Sequence, residues 1–404
     1  MPRREVGIGL LGVGWMGEVH STSYRRVPIH FPECDGVARL VIAADEVEER
    51  ARAAAERLGY REWTTRWNDV LAHPDVDAVS ITAPNFVHRE MAVAAAEAGK
   101  HFWGEKPLGR TPAETAEIAA AAERAGVRTI VGLNYRHPPA VQHARRLIAD
   151  GVLGDVNHFR TQFVASYSAN PHGALSWRFS RELSGAGILA DLGSHAVDLA
   201  QFLLGPIVRV TATSAILIPR RPKVPMGTGT HFTVVEEAAE YGDVENEDWA
   251  AALIEFASGL KGTVELSRVI VGAEARYVFE ANGTRGAVAW DFERMNELEL
   301  HLPLENGDAG FARVVMGPGH PDFVRFQPGP GIGMGYDDLK VIEAYRFLQS
   351  IADGEQREPG VREILAAARV LDAMERSFSS GAWEEVTELP VDLGVGDRAG
   401  PVSP

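Results

Sequence analysis

The sequence predicts an N-terminal α/β domain with a doubly wound parallel sheet, followed by an α+β domain with a large open, mostly antiparallel sheet. Three observations predict this fold class. A GxGxxG turn directly follows an apolar strand. Strands and helices then alternate as far as residue 133. From residue 134 onward, strand-like runs dominate and few helices separate them. A chain of 404 residues is also long enough for two domains.

Composition and charge restrict the classes of partner. The formal net charge of −16 argues against nucleic acid as a partner, because phosphate binding needs a basic surface. The only cysteine is Cys34, so no internal disulfide forms and a reducing compartment, the cytoplasm, is expected. No apolar run reaches the ~20 residues of a membrane helix, and the N-terminus lacks a signal-peptide pattern. We therefore expect no membrane association.

The first motif predicts a dinucleotide site. Residues 5–11 form an apolar strand, and a glycine-rich turn that opens a helix follows immediately. Glycines in such a turn let the backbone approach a pyrophosphate, which then lies at the positive helix N-terminus. A lone GxGxxG is a weak signal, but here the required strand and helix are both legible. The turn residues predicted to bind the cofactor are Gly12, Gly14, Trp15, Met16 and Gly17.

The second strand, residues 40–44, ends at Asp45, where a carboxylate can accept hydrogen bonds from a ribose 2′-hydroxyl. The spacing from the glycine turn is longer than usual, and residues 28–37 are interpreted as an inserted loop that accounts for it. No arginine directly follows Asp45 to meet a 2′-phosphate. NAD is therefore favoured, and NADP stays open as the alternative. Asp45 could also be an ordinary acid at a helix N-terminus.

Further alternation places more polar residues at the same sheet edge. Helices are predicted over 46–58 and 86–98, strands over 77–82, 101–105 and 128–132, and a capped helix start at Thr111–Glu114. Ligands of such sheets bind at the carboxyl ends of the strands. Residues predicted at this cofactor edge are Pro84, Asn85, His88, Glu105 and Lys106. Beside a cofactor, Lys106 could polarise a hydroxyl or carbonyl oxygen; elsewhere it would be ordinary surface decoration.

The stretch SGAGILADLGSHAVDLAQFL, residues 184–203, has helical periodicity after its glycines. Asp191, His195 and Asp198 recur at three and four residues, so they share one stripe of the helix. An Asp–His pair one turn apart can serve acid–base chemistry, or it can simply satisfy itself at a helix end. A metal site built from the three side chains is a further alternative, although no further ligand cluster accompanies it.

The second half contains a helix at 138–149 and strands at 156–167, 208–218, 249–256, 262–271, 275–281, 287–292 and 297–302. Asn282-Gly283 predicts a tight turn. Residues 228–248 are interpreted as an acidic mobile loop and residues 317–335 as a long loop. Helices at 336–352 and 361–378 are expected to return to the first domain. The predicted divisions are 1–133, 134–390 and a tail at 391–404.

Several motifs together resemble the glucose–fructose oxidoreductase / inositol dehydrogenase (Gfo/Idh/MocA) family. They are the GxGxxG turn, AGKHFWGEKP at 98–107, the GxxxDxGxH pattern at 187–195 and the C-terminal helices. NYRHPPAV, SWRF and GIGMGYDDLKVIEA resemble the levoglucosan dehydrogenase branch in particular. The resemblance implies that Lys106, Asp191 and His195 form the catalytic set. Phe102-Trp103-Gly104 departs from the family's small or aliphatic residues and is expected to reshape the nicotinamide pocket.

The resemblance also implies an activity and an assembly. We expect an NAD(P)-dependent dehydrogenase that oxidises a secondary ring hydroxyl of a sugar, an anhydrosugar of the levoglucosan kind or a cyclic polyol. Tyr135, Trp177 and Arg178 are candidates for the substrate pocket, or else pack at the domain interface. The outer face of the family's open sheet commonly packs on another subunit, so a dimer or tetramer is implied. The alternatives are an NAD-dependent glycoside-cleaving enzyme, an inositol 2-dehydrogenase, a non-catalytic dinucleotide-sensing regulator and a metal hydrolase.

Overall fold

The structure is a computed structural model that describes residues 3–224, 233–236, 240–303 and 309–388. The elements of the first sheet and its helices are β1 (Arg4–Leu11), α1 (Trp15–His30), β2 (Gly36–Ala44), α2 (Glu48–Leu58), β3 (Glu62–Thr64), α3 (Trp67–Ala72), β4 (Ala78–Ile81), α4 (Asn85–Glu97), β5 (His101–Gly104), α5 (Pro112–Ala125) and β6 (Thr129–Val131).

The later elements are α6 (Pro139–Ala149), β7 (Val156–Ala165), α7 (Arg181–Ser184), α8 (Ser194–Leu204), β8 (Ile207–Ala215), β9 (Arg220–Pro222), β10 (Tyr241–Asp243), β11 (Trp249–Phe256), β12 (Lys261–Ser267), β13 (Ala275–Gly283), β14 (Ala287–Asp291), β15 (Glu297–His301), β16 (Ala312–Val315), α9 (Phe323–Phe326), α10 (Tyr336–Asp353), α11 (Val361–Ser380) and β17 (Glu384–Glu385). None of the helices in these described ranges is long and apolar enough to cross a membrane.

The first sheet has six parallel strands in the order β3-β2-β1-β4-β5-β6. The chain starts at the centre, builds outward to β3, and then returns past β1 to build β4, β5 and β6. This reversal opens a crevice at the carboxyl ends of β1 and β4, where doubly wound sheets bind ligands. The predicted Rossmann fold is confirmed. At the start of α5, the Thr111 hydroxyl accepts the Glu114 N–H at 3.1 Å, as its capping sequence predicts.

One local prediction in this half is wrong, and two short elements were missed. The inserted loop predicted at 28–37 begins too early, because α1 continues through Pro28 to His30. Proline lacks one N–H and clashes with the preceding turn. Pro28 nevertheless lies in the last turn of α1, where the buried side chains of Val27 and Phe31 hold the segment against the core. The short elements β3 and α3 were not predicted, because neither is long enough to show a period.

The second sheet has nine strands in the order β16-β15-β14-β13-β7-β12-β11-β8-β17. Among the described strands of this second sheet, only β7 and β12 pair in parallel. All other neighbouring strands of the sheet pair antiparallel. The mixed, mostly antiparallel sheet is therefore confirmed. Helices α8 and α11 contact this sheet, and α10 and α11 also contact α1 and α5 of the first half. The two C-terminal helices thus return to the first sheet as predicted.

Three predictions in the second half need correction. Asn246, Glu247 and Asp248 belong to the predicted acidic loop, yet they are buried and hydrogen-bonded. Residues 228–232 and 237–239 of that loop, and the tail at 391–404, lie outside the described residues. The tight turn follows Gly283 rather than centring on it, since the Gly283 N–H donates to the Gly286 carbonyl at 2.8 Å. The long loop at 317–335 contains α9, anchored by the buried Phe323.

Candidate active site

A cleft of about 570 Å³ lies at the carboxyl ends of the first-sheet strands and extends to the second sheet. It collects nearly every residue that the sequence singled out, although these come from positions far apart in the chain. Among the residues predicted to bind cofactor or substrate or to act in catalysis, Gly17 does not line the cleft, because it packs beneath the turn. The predicted residues that line the cleft are Gly12, Gly14, Trp15, Met16, Asp45, Pro84, Asn85, His88, Glu105, Lys106, Tyr135, Trp177, Arg178, Asp191 and His195.

The glycine turn fits a pyrophosphate. Gly12 has a φ of 96°, which favours glycine, and a Cβ there would lie 2.7 Å from the Ala83 backbone nitrogen. A Cβ on Gly17 would lie 2.4 Å from the Gly12 carbonyl oxygen, so α1 could not pack this closely with a larger residue. Gly14 faces open space, since a Cβ there would meet no described atom within 4 Å. The open backbone at the start of α1 is where an anionic diphosphate would lie.

The adenosine end of the cleft carries a carboxylate and a guanidinium. Asp45 follows β2; its Oδ1 accepts the Val47 N–H at 3.0 Å, and its Oδ2 lies 3.4 Å from the Val13 nitrogen. These contacts hold the carboxylate beside the glycine turn, as binding of a ribose 2′-hydroxyl requires. Arg50 on α2 also lines the cleft. The residue directly after Asp45 is not an arginine, and Arg50, about one helical turn further along, was missed in the sequence.

At the opposite end, Lys106 and Asp191 form an ion pair. Lys106 follows β5, and its Nζ donates to Asp191 Oδ1 at 2.7 Å and to the Asp191 carbonyl at 2.9 Å. The Tyr167 hydroxyl donates to Asp191 Oδ2 at 2.6 Å. Burial opposes ionisation of Asp191, but the Lys106 charge and these hydrogen bonds outweigh it and hold the pKa of Asp191 well below its usual range. Lys106 therefore presents a fixed cation to the cleft.

His195 lies beside this pair. A π-helical turn, Leu189–Gly193, carries Asp191 and leads directly into α8, which begins at Ser194. Such turns occur often at functional sites. Burial, followed by the charges of Lys106 and Lys340, lowers the pKa of His195 well below its ordinary value. The imidazole is consequently neutral at pH 7 and able to accept a proton. The helix prediction for this stretch holds from Ser194, but its periodicity did not reveal the π turn.

The three substrate-pocket candidates differ in their surroundings. The buried Tyr135 ring packs edge-on against the His195 ring, with 4.7 Å between centroids. Trp177 and Arg178 lie in a short turn, with the Arg178 guanidinium 4.3 Å from the Trp177 ring centroid. In the described ranges, Arg178 has no carboxylate within 4 Å. Tyr135 thus supports the histidine, whereas Trp177 and Arg178 offer an aromatic face and a guanidinium to a ligand.

Two residues predicted at the cofactor edge are engaged by the protein itself. The His88 ring lies between backbone oxygens, with Nδ1 2.9 Å from the Pro107 carbonyl and Nε2 2.6 Å from the Ala83 carbonyl. The Glu105 carboxylate accepts hydrogen bonds from His20 and Lys340. These contacts tie together the loops that follow β4 and β5. His88 and Glu105 line the cleft, but their polar atoms are engaged by other groups of the protein.

Two further sequence-based ideas are corrected by the packing. Asp198 does not join Asp191 and His195, because Arg136 binds it through both oxygens at 2.8 and 2.5 Å. The described ranges contain no group of three His, Cys, Asp or Glu side chains placed to hold a metal ion. Trp103 does not line the cleft: its ring is fully buried and stacks on the His20 ring, with 3.4 Å between centroids.

Sequence reasoning missed Tyr167 and Arg268, which also line the cleft. Tyr167 was placed at the end of a predicted strand, and no spacing connects it with Asp191. Arg268 is buried, and its Nε donates to Asp248 at 2.8 Å. Both residues follow strands of the second sheet, β7 and β12. A register for neighbouring strands would have brought them together, but the sequence alone does not give one.

Family models match both halves of the chain. The description "Oxidoreductase family, NAD-binding Rossmann fold" applies to residues 6–133, and "GFO/IDH/MocA C-terminal domain" applies to residues 141–289. Inositol 2-dehydrogenase of Rhizobium meliloti is 28% identical over 376 residues, which cover 93% of this chain and 97% of that protein. The two matched ranges agree with the two sheets of the fold.

Levoglucosan dehydrogenase of Pseudarthrobacter phenanthrenivorans is 34% identical over 387 residues, which cover 96% of this chain and 99% of that protein. A solved structure of levoglucosan dehydrogenase in complex with NADH and levoglucosan superposes with a TM-score of 0.89 at 33% identity. The superposition covers 95% of this chain and 100% of the levoglucosan dehydrogenase chain. The similarity thus extends over both sheets and the C-terminal helices, and this chain belongs to the Gfo/Idh/MocA family of NAD-binding oxidoreductases.

Proposed function

We propose that this protein is a dehydrogenase that oxidises a secondary ring hydroxyl of a sugar, an anhydrosugar of the levoglucosan kind or a cyclic polyol to a ketone. The main observation in support is that the Lys106–Asp191 ion pair and the neutral His195 lie together in the cleft that begins at the glycine turn. The names of the relatives support the substrate class, since they include a levoglucosan dehydrogenase and an inositol 2-dehydrogenase.

The residues divide the chemistry between them. The glycine turn and Asp45 would hold NAD, which would supply the acceptor for the hydride of the carbinol carbon. His195 takes the hydroxyl proton, and its lowered pKa keeps the imidazole in the form that can do so. Lys106 holds its ammonium against the same oxygen and stabilises the developing negative charge. Asp191 fixes the direction of the ammonium through Oδ1, while Tyr167 holds the carboxylate from Oδ2.

Recognition of a polyhydroxylated ring is assigned to the turn that carries Trp177 and Arg178. The apolar face of a sugar can stack on the Trp177 ring. The Arg178 guanidinium can donate to ring hydroxyls, because no carboxylate within the described ranges occupies it. A substrate without those hydroxyls would leave buried polar groups unpaired, which is costly. The pocket therefore favours substrates with several hydroxyl groups.

The activity is tested by mixing the purified protein with NAD and a panel of anhydrosugars, inositols and aldoses while following NADH absorbance. We expect sustained NADH formation with at least one ring substrate, and the matching ketone as product. Substrate cleavage without net NADH would instead indicate the glycoside-cleaving alternative. A flat trace across the panel, with NAD binding still seen by calorimetry, would favour the non-catalytic regulator.

Cofactor choice is tested at Asp45. We expect Asp45→Asn to raise the KM for NAD by roughly 10- to 100-fold, because a charged acceptor for the ribose hydroxyl is lost. The same change should improve use of NADP, since repulsion of a 2′-phosphate disappears while Arg50 remains in the cleft. Arg50→Ala in the Asp45→Asn background should remove that improvement. An unchanged KM for NAD would contradict the assignment of Asp45.

We also propose the assembly, the compartment and the domain division that the sequence suggests. The outer face of the nine-stranded sheet carries charged side chains such as Arg160, Glu265 and Arg276 around an open hollow. This face would pack against another subunit in a dimer or tetramer, and sedimentation of the purified protein tests this. The single cysteine, Cys34, is buried, and burial raises the pKa of its thiol to about 11, which suits a cytoplasmic protein. The proposed domain division lies at 133/134.

A further inference from the structure

A buried ionic cluster lies beneath the cleft, and we call His20, Glu105, Lys340 and Glu343 the Glu105 cluster. Glu105 Oε1 accepts from His20 Nε2 at 2.9 Å and from Lys340 Nζ at 2.6 Å. Lys340 Nζ also lies 3.0 Å from Glu343 Oε2. The Lys340 and Glu343 side chains are fully buried, and Lys340 comes from α10, near the C-terminus. The cluster thus joins α1, the loop after β5 and a helix that follows the second sheet.

The surrounding backbone leaves room for one carboxylate and little else. A Cβ at Gly132, just after β6, would lie 2.6 Å from both Glu105 carboxylate oxygens. Any side chain at residue 132 would therefore displace the Glu105 carboxylate. On another side, the Trp103 ring stacks on His20, and Lys340 Nζ lies 5.8 Å from its centroid. The large residues before Glu105 therefore enclose the ionic cluster.

A fully buried lysine is costly unless it is paired. Burial lowers the affinity of Lys340 for its proton, but the charge and hydrogen bond of Glu105, together with the contact to Glu343, outweigh burial and hold the pKa of Lys340 above its ordinary value. Burial raises the pKa of Glu343 to about 8, so this carboxyl is mostly protonated at pH 7. Glu105 and Lys340 therefore form the central ion pair of the cluster. Glu105 is the residue just before Lys106 in the sequence.

We propose that Lys340 is a positioning residue of the reaction: it anchors Glu105 and so fixes the loop that carries Lys106, and its charge is one of those that surround His195. This inference rests on the proposed roles of Lys106 and His195. Glu105 and Lys106 are adjacent, so a displaced Glu105 carboxylate also moves the base of the Lys106 side chain. Since Lys106 Nζ must reach both Asp191 Oδ1 and the Asp191 carbonyl oxygen, a small displacement would weaken that geometry.

Four charged groups around His195 affect its protonation. Lys106 and Lys340 oppose its protonation, and Asp191 and Glu105 favour it. The aromatic neighbours Tyr135, which contacts the ring edge-on, and Phe163, which is tilted against it, carry no charge at pH 7. Removing the Lys340 charge therefore raises the pKa of His195. Activity that requires the neutral imidazole should then be lost at a higher pH than in the wild type.

The test is Lys340→Met in the full-length protein, with Lys261→Met as the matched control. Lys261 is exposed and pairs with Glu255 on the second sheet. For Lys340→Met we expect kcat to fall roughly 10- to 100-fold with little change in substrate KM. We also expect the acid limb of the kcat profile to move to higher pH by about one unit. Lys261→Met should show neither change.

A double variant, Glu105→Gln with Lys340→Met, separates positioning from folding. Replacing both partners removes the unpaired buried charge, so its Tm should approach that of the wild type. We expect its kcat to stay low, because the anchor is still absent. This variant carries the test even if Lys340→Met alone does not fold. A kcat that recovers together with Tm would overturn the proposal and leave Lys340 a purely structural role.

The same assays separate this proposal from the catalytic assignment. If Lys106 and His195 variants lose activity but Lys340→Met keeps the wild-type kcat and acid limb, the role of Lys340 is refuted and the catalytic assignment stands. If Lys106 and His195 variants retain activity, the catalytic assignment fails, whatever Lys340→Met shows.

Discussion

Replacing Lys106 by methionine is expected to lower kcat/KM for the ring alcohol by roughly 10²- to 10³-fold, the usual effect of losing one stabiliser of a developing oxyanion. Methionine keeps most of the side-chain volume but removes the ammonium that Asp191 and its carbonyl oxygen hold in place. Steady-state NADH formation measures the loss. Calorimetry should show that NAD still binds, since the glycine turn and Asp45 are untouched.

Lys100→Met is the matched control for this variant. Lys100 and Lys106 lie at opposite ends of β5, and Lys100 Nζ donates to the Val76 carbonyl at 2.7 Å, away from the cleft. The control should keep its activity within about twofold, because surface substitutions outside special sites have small effects. Retention of full activity by Lys106→Met would remove Lys106 from the mechanism and leave the ion pair with Asp191 a structural one.

Replacing His195 by alanine is expected to lower kcat by roughly 10²- to 10⁴-fold, because the variant lacks a positioned general base. The residual rate should rise with pH, as hydroxide or a solvent-accessible base takes the proton instead. His158→Ala is the control, since His158 is an exposed histidine of β7. A residual rate that is equally high at all pH values would contradict the role of His195 as base.

The wild-type pH profile follows from the same residue. The pKa of His195 is lowered, so the imidazole is already neutral below pH 6.5 and becomes protonated only at lower pH. Asp191 also stays ionised there, because its pKa is held low. In the wild type we therefore expect the acid limb of kcat to lie below the ordinary histidine value. An acid limb above pH 7 would contradict the electrostatic description of the cleft.

Local sequence patterns were enough to place the cofactor half of the cleft. Three features come just after strands of a parallel sheet: the turn from Gly12 to Gly17, then Asp45, and then Lys106. The topology of such a sheet brings these strand ends together. The Asp191–His195 spacing likewise predicted a shared helix face. In these cases residues close in sequence, combined with a known topology, determine proximity in space.

The remaining features depend on contacts between distant segments. Nothing in the sequence links Tyr167 with Asp191, or Lys340 with Glu105, which lies 235 positions earlier. Trp103 was expected to affect the pocket because it departs from the family's small or aliphatic residues, yet strand alternation turns its ring toward α1. Asp248 was assigned to an acidic loop from its local sequence. Its burial depends on an ion pair with Arg268, and a local pattern cannot reveal that partner. Buried ion pairs are therefore the class of feature that local sequence patterns missed.

The most direct test of the proposed dehydrogenase chemistry is the fate of deuterium placed on the carbinol carbon of a substrate from the panel. We expect the label in the reduced cofactor, with one NADH formed per ketone and a slower rate than with the unlabelled substrate. His195→Ala should still transfer the label to the cofactor, only more slowly. Deuterium released into solvent, or product formed without NADH, would contradict direct hydride transfer from a ring alcohol.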